Sequence, residues 1–212
     1  MAFDFKKEYR EFYLPAASPR IVTIPPMNYL AVRGRGDPNE EGGAYQQAIG
    51  LLYALAYTLK MSWRNGREIE GFFDYVVPPL EGFWEQEGRE ELGFDYRDKS
   101  ALLWTSVIRL PDFVGEEDFR WAVETAARKK GLDCSAARFL TVEEGLCVQI
   151  LHKGPYDTEP ESVERMDALL RAEGYENDLG GGRLHHEIYL SDPRRCAPEK
   201  RKTVIRHPIR RV

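Results

Sequence analysis

The sequence predicts an α+β fold in which duplicated β-α-β-β units share an antiparallel sheet and leave a ligand cleft at the pseudo-twofold seam between them. Two observations support this prediction. Residues 20–57 align without a gap on residues 138–175, with eight identities where chance composition would give about two. Each segment also has two strand-like runs followed by a helical pattern. A seam between two such units is a favoured place for a ligand site.

The first half, residues 20–115, is predicted to contain four strands and one long helix. The strands are the short apolar or alternating runs at 21–24, 29–32, 75–77 and 102–108. The first two are expected to form a hairpin around the Pro-Pro pair that separates them. The helix is indicated by apolar residues that recur at helical spacing between Tyr45 and Leu59. Residues 1–19 precede this half as an N-terminal extension.

The second half, residues 134–212, repeats this order. Its strands are predicted at 139–142, 146–151, 185–190 and 203–207, and the first two should form an equivalent hairpin. Its helix is apolar on one face and ends at Gly174. Residues 116–133 carry apolar side chains at helical spacing and are predicted to form a connecting helix between the halves. Residues 20–212 are therefore predicted to form a single domain.

Composition excludes several classes of protein. The chain has 212 residues, of which 42% are hydrophobic and 31% charged, which is typical of a soluble globular domain. It has no apolar run near the ~20 residues that span a bilayer and no signal-peptide core, so a cytoplasmic protein without membrane contact is predicted. Three cysteines without a Cys-x-x-Cys pair argue against a disulfide framework. Because His185 and His186 are adjacent and no cofactor motif is present, neither a metal nor a cofactor is expected.

Charge is distributed unevenly along the chain. The net charge is −5, yet residues 194–212 contain eight basic residues and a single acid, Glu199. A basic tail can bind nucleic acid, but no DNA-binding motif accompanies it and the rest of the chain is acidic. We therefore expect no nucleic-acid partner, and we interpret the tail as a solvated edge strand with its turn. The protein is expected to be a monomer or a homodimer.

The strand predicted at 185–190 holds the candidate catalytic residue. Because side chains alternate between the two faces of a strand, His185, Glu187 and Tyr189 share one face. His186 belongs to the other face, which is mostly apolar and should meet a helix. A carboxylate in mid-strand is unfavourable by propensity. Glu187 is therefore either a functional acid, with His185 and Tyr189 as its ligand-facing neighbours, or a glutamate that simply faces solvent.

Aromatic side chains are concentrated in residues 72–84, after a predicted strand. Phe83 and Trp84 end this run, and Trp104 lies on the next predicted strand. Exposed aromatic residues of loops commonly line ligand sites, so these three side chains are candidate ligand contacts. The alternative is that Phe83 and Trp84 close the base of the domain.

These features together resemble the GyrI-like small-molecule-binding domains. The resemblance depends on the internal repeat and on three motifs: Lys-Gly-Pro-Tyr at 153–156, His-Glu-Ile-Tyr-Leu at 186–190 and Pro-Pro-Leu-Glu-Gly-Phe-Trp at 78–84. It covers the chain from about residue 21 to the C-terminus. It implies that Glu187 lies at the base of a ligand cleft and that Tyr156 and Trp84 contact the ligand, a hydrophobic aromatic small molecule.

Members of that family have several roles, and the resemblance leaves more than one open. Some hydrolyse cyclopropane-containing DNA-alkylating compounds, which implies a detoxifying hydrolase with Glu187 as acid/base. Tyr156, Trp84 and Trp104 would then stack on the ligand. Others bind toxins or drugs without turnover, and a carboxylate among aromatic rings also suits lipophilic cations. Others are effector domains of transcription activators, whose DNA-binding domain would not fit within residues 1–19. The hydrolase is the function we favour, with sequestration or ligand-responsive regulation as alternatives.

Overall fold

A large antiparallel sheet forms the centre of the protein. The structure, a computed structural model, describes residues 2–86, 99–193 and 195–212. The strands within these residues are β1 Arg20–Ile24, β2 Met27–Arg35, β3 Leu80–Gln86, β4 Leu102–Arg109, β5 Ala137–Val142, β6 Gly145–Lys153, β7 Tyr175–Asn177, β8 His185–Tyr189 and β9 Lys202–Arg211. They are ordered β1-β6-β9-β8-β3-β4-β2-β5, and β7 pairs with β9. The predicted α+β class with an antiparallel sheet is therefore confirmed.

The strand order is symmetric with respect to the two halves of the chain. If each strand is replaced by its counterpart in the other half of the chain, the order read from one end of the sheet becomes the order read from the other end. The register agrees with this exchange, since Arg20 pairs with Gln149 and Ala31 pairs with Arg138. The two pairs are equivalent, because the alignment of the two halves places Arg20 on Arg138 and Ala31 on Gln149. Superposition of the two backbones, and with it the duplication, stays a prediction.

The two predicted hairpins do not form. Instead β1 pairs with β6 and β2 pairs with β5, so each strand joins one from the other half. A two-residue hairpin turn needs a positive φ at its first central residue, and proline is locked near −65°. Pro25 and Pro26 therefore cannot fold β2 back onto β1. Between β5 and β6, Glu143 and Glu144 also lack a positive φ, as do all described residues other than glycine.

The aromatic run after the two prolines is a strand and not a loop. Residues 80–86 form β3, which pairs with β4 and β8, whereas Tyr75 makes only an isolated bridge with Phe3. The strand predicted at 75–77 is therefore wrong. Pro78 and Pro79 follow it directly and have no N–H group to pair in a sheet, so the strand begins only after them.

The C-terminal strand β9 is central and not at an edge. It lies between β6 and β8, and most of its residues are buried. Its basic residues suggest a solvated strand, because the acidic partner of the buried Arg206 is distant in sequence. Arg206 is 1% exposed and binds Glu144, and Arg210 pairs with Glu176 and Asp178. Arg194, which begins the basic tail, lies outside the described residues.

Helices cover one face of the sheet at the positions that the apolar periodicity predicts. They are α3 Ala44–Lys60, α4 Glu116–Lys130 and α5 Glu159–Glu173. The helix α3 packs on β2 and β4 and against α4, whereas α5 packs on β6. The helix α5 is capped at its C-terminus by Gly174, whose φ of 74° lies in the left-handed region that glycine favours. In the described part of the chain, none of the helices is long and apolar enough to cross a membrane.

The N-terminal extension covers the opposite face of the sheet. It forms two short helices, α1 Phe5–Glu8 and α2 Arg10–Tyr13. Phe5 and Tyr13 are buried in the same apolar cluster as Ile188 of β8. The apolar face of β8 thus shares a buried cluster with helices, and these come from the N-terminal extension.

A buried ionic network lies on this second face. His186 is 3.0 Å from both Glu81 and Glu144, and Arg206 binds Glu144 at 2.8 Å. The Tyr13 hydroxyl donates to Glu81 at 3.2 Å. Burial alone would raise the pKa of Glu144, but the charges and hydrogen bonds of His186 and Arg206 lower it to about 2. Glu144 therefore stays ionised, and the hydrogen bond of Tyr13 to Glu81 links the N-terminal extension to the network.

Candidate functional site

Strand β8 presents three polar side chains on the face that carries α3 and α5. Glu187 Oε1 lies 3.0 Å from His185 Nε2, with 14% of the Glu187 side chain exposed and 3% of that of His185. The Tyr189 hydroxyl accepts a hydrogen bond from Trp84 Nε1 at 2.9 Å. The strand alternation expected from the sequence thus brings the three together, and Glu187 keeps partial access to solvent.

The first turn of α5 adds a second carboxyl group. Glu159 is 1% exposed, and neither of its oxygens has a hydrogen-bond donor among the other described residues. Burial, then the charge of Glu187 and a hydrogen bond with it, raises the pKa of Glu159 well above its usual range. Two carboxylates can only accept, so their contact is a hydrogen bond only when one is protonated. We therefore interpret Glu159 as a protonated acid that donates to Glu187.

A chain of hydrogen bonds continues from Glu187 into the protein. His185 Nδ1 lies 2.7 Å from His207 Nε2, and His207 Nδ1 lies 3.2 Å from Asn177 Oδ1. Burial and the neighbouring His185 lower the pKa of His207 well below its usual range, so His207 is neutral. Both nitrogens of each imidazole are thus engaged in hydrogen bonds that lead to Glu187.

Tyr156 approaches Glu187 from the turn that precedes α5. Its ring meets that of Tyr189 edge to face, with centroids 6.0 Å apart. Burial, followed by the negative charge of Glu187, raises the pKa of Tyr156 to about 12. The guanidinium of Arg201 lies 5.2 Å from the centre of the same ring. The described surroundings of Glu187 therefore include neutral phenols and aromatic faces, which suit an aromatic ligand.

The two predicted tryptophans belong largely to the hydrophobic core. Trp84 is 7% exposed and Trp104 is 3% exposed. Both pack on Tyr45 of α3, with ring centroids 5.5 and 5.1 Å apart. Trp84 reaches the site through its hydrogen bond to Tyr189, and Trp104 reaches it through Tyr45. Direct ligand contacts by these tryptophans stay a prediction, and their burial supports the structural alternative for Trp84.

Phe83 does not join the site. Neighbouring residues of a strand point to opposite faces, so Phe83 lies on the side away from Trp84. It stacks on His186 with ring centroids 4.0 Å apart. It also lines a pocket of about 280 Å³ on that second face, together with Arg183 and other residues. The prediction grouped Phe83 with Trp84 because it took this segment for a loop, where strand alternation does not apply.

Four residues of the site are not among the candidates from the sequence: Glu159, Tyr45, His207 and Asn177. Glu159 stands out only as an identity with Glu41 in the repeat, and an acid in the first turn of a helix is usually explained by the helix dipole. Tyr45 is part of the apolar pattern of α3. His207 and Asn177 carry no local signal, because the pairing of β9 with β7 and β8 brings them to His185.

Glu159, His185 and Glu187 form what we call the carboxyl–histidine cluster. Their possible ligand atoms lie within 4.8 Å of one another, so these described residues are also the group that most resembles a metal site. The 3.0 Å between His185 and Glu187 is a hydrogen-bond length. A raised pKa keeps Glu159 protonated, so it can donate to Glu187. We therefore interpret the cluster as a group that shares protons.

Gly82 makes room for the site, because it pairs with Glu187 across the β3–β8 ladder. A Cβ atom at Gly82 would lie 2.6 Å from Trp84 Nε1 and 3.1 Å from the Tyr189 hydroxyl. Gly82→Ala is therefore expected to push these groups apart and to lower the free energy of unfolding by about 1–3 kcal/mol, as measured by urea titration.

Gly50→Ala is the matched control for this substitution. Gly50 lies within α3 with open space where its Cβ would be, and alanine favours a helix over glycine. The control should therefore unfold at the same or a higher urea concentration than the unmodified protein. Equal stability of the Gly82→Ala and Gly50→Ala proteins would contradict the expected clash.

Solved structures similar to this chain come from Listeria innocua. Two are hydrolases, one 45% identical with a TM-score of 0.88 and one 47% identical with a TM-score of 0.90. A third, an uncharacterized conserved protein, is 48% identical with a TM-score of 0.90. The alignments cover 98%, 99% and 98% of this chain, respectively, and 100% of each of those chains. None of the curated proteins matches the chain in sequence.

More distant structures share the fold alone. The C-terminal domain of EcmrR is 14% identical, with a TM-score of 0.52 over 92% of this chain and 98% of that one. The family assignment comes from the sequence itself, because the model of the GyrI-like small molecule binding domain matches residues 17–210, which is nearly the whole chain. The chain therefore belongs to the GyrI-like family of small-molecule-binding domains.

Proposed function

We propose that this GyrI-like domain binds a hydrophobic aromatic molecule beside Glu187 and hydrolyses reactive electrophiles such as cyclopropanoid DNA-alkylating compounds. The observation that carries the proposal is the carboxyl–histidine cluster. Glu187 contacts His185 at 3.0 Å and the buried acid Glu159, yet keeps 14% of its side chain exposed. Glu187 thus shares protons with buried neighbours and is itself accessible to a ligand. Similarity to two hydrolases over 98% and 99% of this chain supports a hydrolytic function.

Glu187 acts as the general acid in this reaction, and the proton that it transfers is one that it shares with Glu159 and His185. It passes a proton to the carbonyl oxygen of the electrophile as the strained carbon–carbon bond breaks and its electrons move toward that oxygen. Water forms the new carbon–oxygen bond at the ring carbon and releases one proton to solvent. Glu187 then regains a proton from solvent, so the product is the substrate plus one water. A positioned acid supplies about 10²–10⁴-fold in rate, and positioning of the strained ring supplies more.

The neighbours of Glu187 suit a flat, neutral ligand. The raised pKa of Tyr156 and that of Tyr189 keep both phenols uncharged. Their rings, with the edge of the Tyr45–Trp84 pair behind them, offer aromatic surface on the helix side of the sheet. Aromatic ligands stack on such surfaces, and the phenol hydroxyls can orient polar substituents. These contacts would hold the ring that opens next to the acid.

A second candidate function is sequestration of lipophilic cations without turnover. It is favoured by Glu159, a buried carboxyl group without a donor among the described residues. A bound cation could take the place of the proton that Glu159 shares with Glu187, and the surrounding tyrosines would add cation–π contacts. A ligand-responsive regulator would use the same contacts. This candidate predicts binding of a cation and no chemical change in any ligand.

The unmodified protein is sufficient to decide between the two. A cyclopropanoid at saturating concentration is expected to give a product one water heavier, faster than with heat-denatured protein, as measured by mass spectrometry. A thermal-shift titration with a lipophilic cationic dye is run in parallel. Absence of the hydrated product contradicts the hydrolase. If the dye also raises the melting temperature, sequestration takes its place.

A further inference from the structure

Asn177, at the end of the short strand β7, has a defined amide orientation. Its Nδ2 group donates to Asp167 Oδ1 on α5, and a carboxylate oxygen can only accept. The amide oxygen must therefore face His207 Nδ1, which lies 3.2 Å away. Because an amide oxygen also only accepts, His207 must carry its hydrogen on Nδ1.

This assignment determines the hydrogens on the next imidazole. A neutral histidine with hydrogen on Nδ1 has a lone pair on Nε2, so His207 accepts from His185 Nδ1 at 2.7 Å. His185 Nε2 then faces Glu187 Oε1 at 3.0 Å. An imidazole nitrogen without hydrogen cannot donate, and neither can a carboxylate oxygen. The contact between His185 Nε2 and Glu187 Oε1 therefore requires one further proton between these two atoms.

We propose that Asn177 is a positioning residue, which orients the hydrogen bonds of His207 and His185 so that a proton is held between His185 and Glu187. The tautomers follow from the hydrogen-bond geometry and the neutral state of His207, and only their catalytic meaning rests on the proposed function. Without the acceptor on Asn177, both imidazoles can turn to their Nε2–H forms. His185 would then donate to an ionised Glu187. Glu187 would keep its hydrogen bond with His185 but would have no proton to transfer.

Among the described residues, the other groups that face Glu187 cannot replace this effect. They are Glu159 of α5, Tyr156 of the turn before α5, Tyr189 of β8 and Tyr45 of α3. All of them can hydrogen-bond to a carboxylate, and none brings a positive charge. Retention of the proton on the His185–Glu187 pair therefore depends on the chain that begins at Asn177.

The tautomers can be read directly from two-bond ¹H–¹⁵N spectra of the histidine rings. In the unmodified protein, His207 is expected to carry hydrogen on Nδ1 only, with hydrogen also on Nδ1 of His185. In Asn177→Leu, which removes the acceptor at similar size, the hydrogens are expected on Nε2 of both rings. Glu176→Leu is the matched control on the same strand, since the Glu176 side chain pairs with exposed Arg210, and should leave the spectra unchanged.

Turnover provides the functional readout. In Asn177→Leu, the alkaline pH at which cyclopropanoid turnover falls is expected to drop by about one unit. A shift of this size corresponds to the free energy of one hydrogen bond. A bare Nδ1 on His207 of the unmodified protein, or unchanged tautomers in Asn177→Leu, would overturn the proposal. The predicted tautomers without turnover in either protein would instead contradict the proposed function and leave the positioning role of Asn177 supported.

Discussion

Replacing Glu187 with glutamine is expected to lower turnover of a cyclopropanoid substrate by about 10²–10⁴-fold. Glutamine keeps the size of the side chain, and its amide can still donate to His185 Nε2, so the local packing should persist. It cannot release a proton to the ligand. Affinity for a neutral aromatic ligand should therefore stay within a few-fold, and the loss should lie in kcat. Steady-state kinetics and calorimetric binding measure the two effects separately.

The Glu187→Gln variant has a matched control on α5 and two outcomes that would contradict the hydrolase. Glu161→Gln removes an exposed carboxylate from the same helix as Glu159 and should keep full turnover. If the protein is a cation binder, Glu187→Gln weakens the binding of a lipophilic cation and there is no turnover to lose. Unchanged turnover in Glu187→Gln would show that this carboxyl group is not the acid.

Arg206→Met is expected to have the largest effect on stability. Arg206 is 1% exposed and donates to Glu144, to Gln149 and to the carbonyl oxygen of Phe12 at 2.8, 3.1 and 2.9 Å. Its removal leaves the buried carboxylate of Glu144 with His186 as its remaining cationic neighbour. Breaking a buried ion pair in this way costs about 3–5 kcal/mol, which urea unfolding would report as a lower midpoint.

The pH dependence of this loss has a definite sign. The pKa of Glu144 is lowered from 4.5 to about 2, so the ionised carboxylate contributes stability above its ordinary pKa. That contribution is lost as the pH falls toward 2. The difference in stability between the unmodified protein and Arg206→Met should therefore be largest near neutral pH and shrink below pH 4.5. A difference that grows on acidification would contradict this account.

Two further variants test whether the loss is due to the buried charge. In Arg206→Met/Glu144→Gln the uncompensated carboxylate is gone, so the double variant should be more stable than Arg206→Met alone. Arg210→Met removes an exposed arginine from the same strand, which pairs with Glu176 and Asp178 at the surface. It should change the urea midpoint little. Equal destabilisation by Arg206→Met and Arg210→Met would show that the buried network is not the cause.

Sequence periodicity predicts the elements of this protein better than their pairing. The helices α3, α4 and α5 follow from apolar spacing that is complete within each segment, and the faces of β8 follow from alternation. The partners of β1 and β2 do not, because a strand carries the same pattern whichever neighbour it pairs with. The Pro-Pro connection is a local signal against a hairpin, but strand periodicity alone does not include it.

The sequence by itself determined the α+β class, the family and the placement of His185, Glu187 and Tyr189 on one face, since each depends on local pattern or motif. Only the tertiary structure decided which groups surround Glu187. Glu159, His207 and the amide of Asn177 lie on other elements, and they meet the strand only because α5, β7 and β9 pack beside it. Proton sharing depends on distances of about 3 Å between such groups, and periodicity along one chain does not specify distances across the fold.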